Sequence, residues 1–247
     1  PAAEVERPIT PIVPEGEELT LEADVVIVGS GAGGGVIAGE LSAAGKRVCV
    51  LEMGGYHDES EFPGLELWGY QNLFLNQGPF PTAEGQISIQ AGSALGGGTV
   101  LNWTNCLRTT DHVRAEWAAA GLEGLDGPGY DEHMDAVWQR LGVNDRCSDL
   151  SGPHQRLKDG CDALGYDFSL ITRNTDPETY DPVTAGYLGW GEQSGSKRST
   201  LKTYLADAAE HGAEFLTHCR VDRILVDGGR AAGVEATYAD PEGRVAR

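Results

Sequence analysis

An α/β fold built on a parallel sheet is what this sequence predicts, and three observations predict it. Residues 23–28 (ADVVIV) form a short apolar run rich in β-branched side chains, and residues 47–51 (RVCVL) form a second. Near-continuous apolar runs of this length read as strands buried on both faces. Between them lies a glycine-dense turn, GSGAGGG at 29–35, and a stretch with helical apolar spacing through Val36, Ile37 and Leu41 that stops at Gly45. Parallel strands need a crossover, and here the helix supplies it, giving a Rossmann-like β–α–β unit.

The remaining elements follow in chain order. Residues 1–22 carry four prolines and several glutamates, which predict an extended arm without a packed element. Residues 56–90 are rich in Gly, Pro, Asn and aromatic side chains and read as an irregular segment, with the carboxylates at 57–66 on a solvated loop. A second glycine-rich turn at 92–98 leads into 99–107. Helices are predicted at 111–119, 130–141 and 154–164, the second placing Tyr130, Met134, Val137, Trp138 and Leu141 on one face. Residues 166–198 return to loop character, with glycines clustered at 186–195. A helix at about 199–210 and strands at 214–219, 221–227 and 231–239 complete the chain.

Composition excludes several functions. The formal charge of −20 repels nucleic acid and anionic membrane. No apolar run approaches the roughly 20 residues that cross a bilayer, and the acidic, proline-rich start lacks the apolar core of a signal peptide. The five cysteines, Cys49, Cys106, Cys147, Cys161 and Cys219, form no C-x-x-C pair. Free thiols in a reducing compartment are the expectation, and with them a soluble, cytoplasmic protein without a metal site. Thirty-five glycines exceed what loops need, and their clustering points to backbone that turns tightly or approaches a ligand.

The first cluster is G-x-G-x-x-G at Gly29, Gly31 and Gly34, placed after a strand and opening a helix. Glu52 ends the next strand, 21 residues after Gly31. Chemistry explains the arrangement. Gly29 makes the turn, Gly31 lets backbone approach a pyrophosphate, and Gly34 permits helix–sheet contact. The helix N-terminus offers N–H groups to phosphate, and Glu52 can accept hydrogen bonds from ribose hydroxyls. Ser30, Ala32, Gly33 and Met53 belong to the same candidate site. The motif alone serves NAD and FAD equally.

The second cluster is GSALGGGTVLNW at 92–103. Glycine lets backbone approach a flat ring, and Thr99 and Asn102 offer donors to ring carbonyls. Here the sequence resembles the glucose–methanol–choline oxidoreductase family, whose flavin loop has paired glycines, two small residues and an Asn. The resemblance implies an α/β Rossmann-like FAD-binding domain with part of a second, substrate-side α+β domain. It implies that Gly96, Gly97, Gly98, Thr99 and Asn102 hold FAD, with Trp103, Thr104 and Asn105 close to the isoalloxazine. Some relatives attach FAD through a His immediately before that Asn. Leu101 stands there in this chain, so the expected FAD is non-covalent.

A third stretch, GSKRSTLKTYL at 195–205, is similar to a segment of the long-chain alcohol oxidase and cholesterol oxidase branch. The strand CRVDRIL at 219–225 resembles the one whose Val meets adenine, which adds Val221 to the cofactor residues. Lys197 and Arg198 read either as anion ligands or as a solvated turn. The domain expectation is then an arm at 1–22, FAD-binding residues 23–110, a substrate-side region at 111–194, and a return to the first domain at 195–247.

The function implied is oxidation of an alcohol to an aldehyde or ketone by hydride transfer to flavin, with apolar alcohols favoured by the branch. None of His57, His112, His133, His154, His211 and His218 matches the family's catalytic context, so no catalytic residue is expected within the chain. Two other readings stay open: a non-catalytic FAD-binding chain of a split enzyme that needs a second polypeptide, and an NAD-dependent dehydrogenase. A half-enzyme of this kind is expected to expose sheet edges and to be unstable or oligomeric by itself.

Overall fold

The computed structural model describes residues 8–247. Along the chain run β1 (Val25–Val28), α1 (Ala32–Ala43), β2 (Val48–Leu51), α2 (Glu66–Leu73), β3 (Phe80–Pro81), β4 (Ser88–Ile89), α3 (Gly98–Leu101) and β5 (Asn105–Cys106). They are followed by α4 (Asp111–Ala119), α5 (Pro128–Arg140), α6 (Gly152–Leu164), β6 (Thr172–Arg173), α7 (Tyr204–Glu210), β7 (Glu214–Leu216), β8 (Cys219–Asp227), β9 (Arg230–Ala239) and β10 (Val245–Ala246). Short 3₁₀ turns occupy Leu75–Gln77, Thr184–Trp190 and Thr200–Lys202. No helix of the described residues is long and apolar enough to cross a membrane.

Two compact units emerge. The first comprises the chain up to Trp103, Thr184–Gly195 and Ser199–Arg247; the second comprises Thr104–Val183 and Ser196–Arg198. In the first, β1, β2 and β7 form a parallel sheet in the order β1–β2–β7, with Val25 opposite Val48 and Cys49 opposite Glu214. This is the predicted α/β fold. An antiparallel sheet, β10–β9–β8, lies in the same unit. The second unit holds α4, α5, α6 and the short β5–β6 pair.

All four residues of β2 are buried, which explains their unbroken apolar character. Val48 and Val50 join Ile27, Ala38, Leu95, Leu201, Leu205, Ala208 and Phe215 in one cluster. Their neighbours Cys49 and Leu51 point to the other face and meet Leu216, Cys219, Tyr238 and Ala246. Helix α1 starts at Ala32, earlier than apolar periodicity suggests, because its first turn is glycine and carries no periodic signal. Its glycines are poor helix formers, but they allow close packing: a Cβ on Gly39 would lie 3.1 Å from the Tyr204 carbonyl of α7.

Several local expectations need correction, the first being burial of β1 on both faces: of its four residues only Ile27 is buried, because β1 is an edge of the sheet. The described part of the arm is packed: Ile9 is 2% exposed within the sheet's core, and the Ile12 N–H donates to the Phe215 carbonyl at 2.7 Å. Its prolines prevent regular structure without preventing burial. The segment 56–90 contains a helix, α2. Of the four carboxylates at 57–66, Asp58 is buried and Glu59 pairs with Lys202 at 2.6 Å, whereas Glu61, which meets His57 Nδ1 at 2.8 Å, and Glu66 are exposed. Lys197, too, is buried rather than on a solvated turn.

Candidate cofactor site

The first glycine turn leaves β1 at Gly29, whose φ of +88° places it in the left-handed region, and enters α1 at Gly31. Gly34 sits against that turn so closely that a Cβ would stand 2.0 Å from the Gly29 carbonyl oxygen. Only glycine fits there. Cβ positions on Gly31 and Gly33 would meet no atom within 4 Å. The start of α1 has no side-chain cap and no acidic residue in its first turn. Its N–H groups and the positive end of its dipole are therefore left for an outside acceptor.

Glu52 follows β2 and is 4% exposed. Its Oε2 accepts hydrogen bonds from the Ser30 N–H at 3.0 Å and the Ser30 hydroxyl at 2.6 Å, and its Oε1 accepts from the Gly54 N–H at 3.0 Å. A carboxylate offers about four acceptor sites, so capacity remains on Oε1. The Glu52 backbone is bound on both sides, its N–H donating to the Leu216 carbonyl at 2.8 Å and its carbonyl accepting from the Cys219 N–H at 2.9 Å. That bond places β8, and hence Val221 two residues further on, beside the carboxylate's strand. Met53 is exposed.

The second glycine turn docks on the first. Leu95 N–H donates to the Gly55 carbonyl at 2.8 Å, and Gly96 N–H donates to Ser30 Oγ at 2.9 Å. Gly97, at φ +53°, lies so near Gly31 that a Cβ would stand 2.8 Å from its Cα. Thus Gly29, Ser30, Gly31, Gly34, Glu52, Gly96 and Gly97 converge, with Ser30 as the hub. Helix α3 follows through Gly98 and Thr99 to Asn102, which caps it by donating its N–H to the Gly98 carbonyl at 3.0 Å.

Trp103 ends this segment of the first unit, 48% exposed, with its ring edge-on to Trp190 at 5.6 Å. Thr104 and Asn105 belong to the second unit, where Arg173 Nη1 donates to Thr104 Oγ1 at 3.3 Å and to Asn105 Oδ1 at 3.0 Å. Sequence reasoning missed Thr200, whose side chain bonds to both turns. Nothing local announces it, because its partners lie 101 to 170 residues away.

Titration in this region is shaped by burial. The Cys49 thiol is pushed up to about 12 by burial, and Cys219 is raised for the same reason, so neither is a thiolate nucleophile near neutral pH. His218 is lowered by burial and by His57 nearby. A cleft of about 760 Å³ lies in the same unit, lined by Leu19, Val26, Leu51, Leu225, Val234 and Tyr238 among others. It includes none of the residues of the two turns, and the convergent hydrogen bonds mark the site more directly than the cleft does.

Comparison with known proteins gives a consistent result. Residues 70–246 match the family model described as GMC oxidoreductase. Long-chain-alcohol oxidase FAO3 of Arabidopsis thaliana is 36% identical over 214 residues, covering 86% of this chain and 28% of that protein. Long-chain-alcohol oxidase FAO4B of the same plant is 39% identical over 209 residues, covering 84% and 27%. The solved structure of pyridoxine 4-oxidase from Mesorbium loti shares the fold, with a TM-score of 0.64 at 18% identity over 91% of this chain and 47% of that one. The chain thus spans little more than a quarter of the length of the plant oxidases it matches.

Proposed function

The chain belongs to the GMC oxidoreductase family, and on that premise we propose that it forms the FAD-binding part of an enzyme that oxidises an alcohol to an aldehyde or ketone. The observation that carries this reading is the meeting of the two glycine turns at Ser30 and Glu52. The residues present suit a flavin dinucleotide. The uncapped start of α1 suits the pyrophosphate, with Ala32 and Gly33 presenting N–H groups. Glu52 Oε1 suits a ribose hydroxyl. Val221 on β8 suits the adenine end, and Gly98, Thr99, Asn102 and Trp103 suit the ring. Leu101 offers no atom for covalent attachment, which supports non-covalent binding.

When bound, the flavin accepts the hydride and so supplies the redox chemistry. This chain's contribution is position and electrostatics. With a formal charge of −20, it has to hold two phosphates by oriented backbone dipoles as well as by any cation. The second unit, with Thr104, Asn105 and the helices of 111–164, is proposed as part of the substrate side. A base is needed to take the alcohol proton. None of the six histidines stands out for that task, and we assign it to a part of the enzyme outside these 247 residues, in the same polypeptide or in a partner. Long-chain primary alcohols are the proposed substrates, from the likeness to the plant oxidases.

The test is anaerobic mixing of the whole flavin-loaded enzyme with a long-chain primary alcohol such as dodecanol. Loss of the oxidised flavin's visible bands, with one aldehyde formed per flavin, is the expected result. Bands that survive dodecanol but bleach with a short polar alcohol would overturn the substrate class. Bands that no alcohol bleaches would overturn the reaction.

A further inference from the structure

The side chain of Thr200 lies where the two glycine turns meet. It is 4% exposed and fills the groove left by a glycine in α1: a Cβ on Gly35 would stand 2.8 Å from the Thr200 Cβ. Its Oγ1 is 3.0 Å from Thr99 Oγ1, 3.3 Å from the Ser30 carbonyl and 3.4 Å from the Gly96 carbonyl. The Thr200 N–H donates to Thr99 Oγ1 at 3.1 Å, and the Thr99 hydroxyl donates to the Gly96 carbonyl at 2.5 Å.

Proton accounting gives this arrangement its meaning. A threonine hydroxyl has one proton and two acceptor sites. Thr99 uses its proton on Gly96, so its oxygen is left as the acceptor for both the N–H and the hydroxyl of Thr200. The Thr200 hydroxyl, with one proton, serves either the second turn, at Thr99 Oγ1 or the Gly96 carbonyl, or the Ser30 carbonyl in the first. Thr200 therefore holds both turns at once when its N–H donates to Thr99 Oγ1 in the second turn and its hydroxyl donates to the Ser30 carbonyl in the first, 170 residues away. Valine matches threonine in shape but offers no such bridge.

We propose that Thr200 is a positioning residue that sets the spacing between the first and second glycine turns, and through that spacing the grip on the flavin dinucleotide. The inference rests on the FAD reading above. Thr200 itself need not touch the cofactor. It keeps Gly97 against Gly31 and holds Thr99 in one orientation.

The test measures FAD dissociation from the purified flavoprotein by recovery of free-flavin fluorescence, for the parent and for Thr200→Val and Thr200→Ser. Loss of one bridging hydrogen bond predicts about tenfold weaker binding in Thr200→Val. Thr200→Ser should return to within about twofold of the parent, since it restores the hydroxyl. The bound flavin's visible circular dichroism should change in the Val variant and return in the Ser variant. Ser42→Ala controls for stability: it removes a buried hydroxyl that bonds only within α1, to the Ala38 carbonyl at 2.7 Å and the Gly39 carbonyl at 3.1 Å. It should lower the melting temperature and leave FAD dissociation unchanged. Parent-like FAD binding and dichroism in Thr200→Val would overturn the proposal while leaving the FAD reading intact. A parent protein that neither carries nor takes up FAD would overturn both.

Discussion

At the scale of single residues, the site depends on a few buried polar contacts with no spare partner. Glu52→Ala would strand the Ser30 hydroxyl and the N–H groups of Ser30 and Gly54. Hydrogen bonds to a buried carboxylate are worth about 1.5–3 kcal/mol each, though not additively, and we expect a loss of about 3 kcal/mol in denaturant unfolding. A loss under about 1 kcal/mol would mean that these contacts are dispensable. His218 makes a second prediction. Its φ of +54° is unusual for a non-glycine residue, and its imidazole is held below the ordinary 6.5 by burial and by His57, with Asp240 opposing. Between the lowered value and about 6.5, the unfolded chain binds a proton that the folded chain refuses. The stability contribution is therefore complete above about 6.5 and lost as pH falls through the folded value. His218→Gly should flatten that acid-side slope and, by accepting the positive φ, add about 1 kcal/mol at neutral pH. An unchanged slope in urea titrations at pH 5 to 7 would refute the assignment.

At the scale of elements, a glycine at the start of α1 and one in the second glycine turn have different consequences. Gly33→Ala adds a methyl where nothing lies within 4 Å, so the apo fold should tolerate it or gain a few tenths of a kcal/mol. The same methyl stands at the start of α1, where a phosphate is proposed to bind, and FAD uptake should fall. Gly97→Ala combines a positive φ with a collision against Gly31, and both stability and uptake should fall. If Gly33→Ala left FAD binding unchanged, the phosphate would not sit there. The packed arm makes its own prediction: Ile9→Ala should cost about 2–4 kcal/mol, read from the unfolding midpoint. What the sequence announced about these elements follows from range. Strands β1 and β2 and the turn between them are local patterns, and helices α4, α5 and α6 carry their own periodicity and breakers. Helix α2 was hidden because Gly69 interrupts it, and that glycine is explained only by Trp190, against which a Cβ would stand 2.6 Å away. The arm's burial and the Thr200 bridge were hidden for the same reason, since their partners are distant in sequence. Ser30 was legible as a motif position but not as the hub between Glu52 and Gly96.

At the scale of the whole molecule, the first unit carries a parallel sheet that ends at β1, where Val26 is 37% and Val28 is 56% exposed. Parallel strands are ordinarily covered on both faces. Ile224 and Val226 of β8 are also exposed, at 62% and 66%. These surfaces predict self-association of the isolated 247 residues at micromolar concentration, visible by light scattering. Salt should strengthen it, because screening weakens the mutual repulsion expected of chains with a formal charge of −20. A monodisperse monomer at all salt concentrations would contradict this. The most direct test of the central claim is the visible spectrum of the purified protein before and after denaturation, with added FAD where none is retained. Two flavin bands that accompany the folded protein and pass into the filtrate on denaturation are the expected result. A colourless protein that does not take up FAD, or flavin that stays with the denatured chain, would contradict the account of a non-covalent FAD site at Ser30, Glu52 and the two glycine turns.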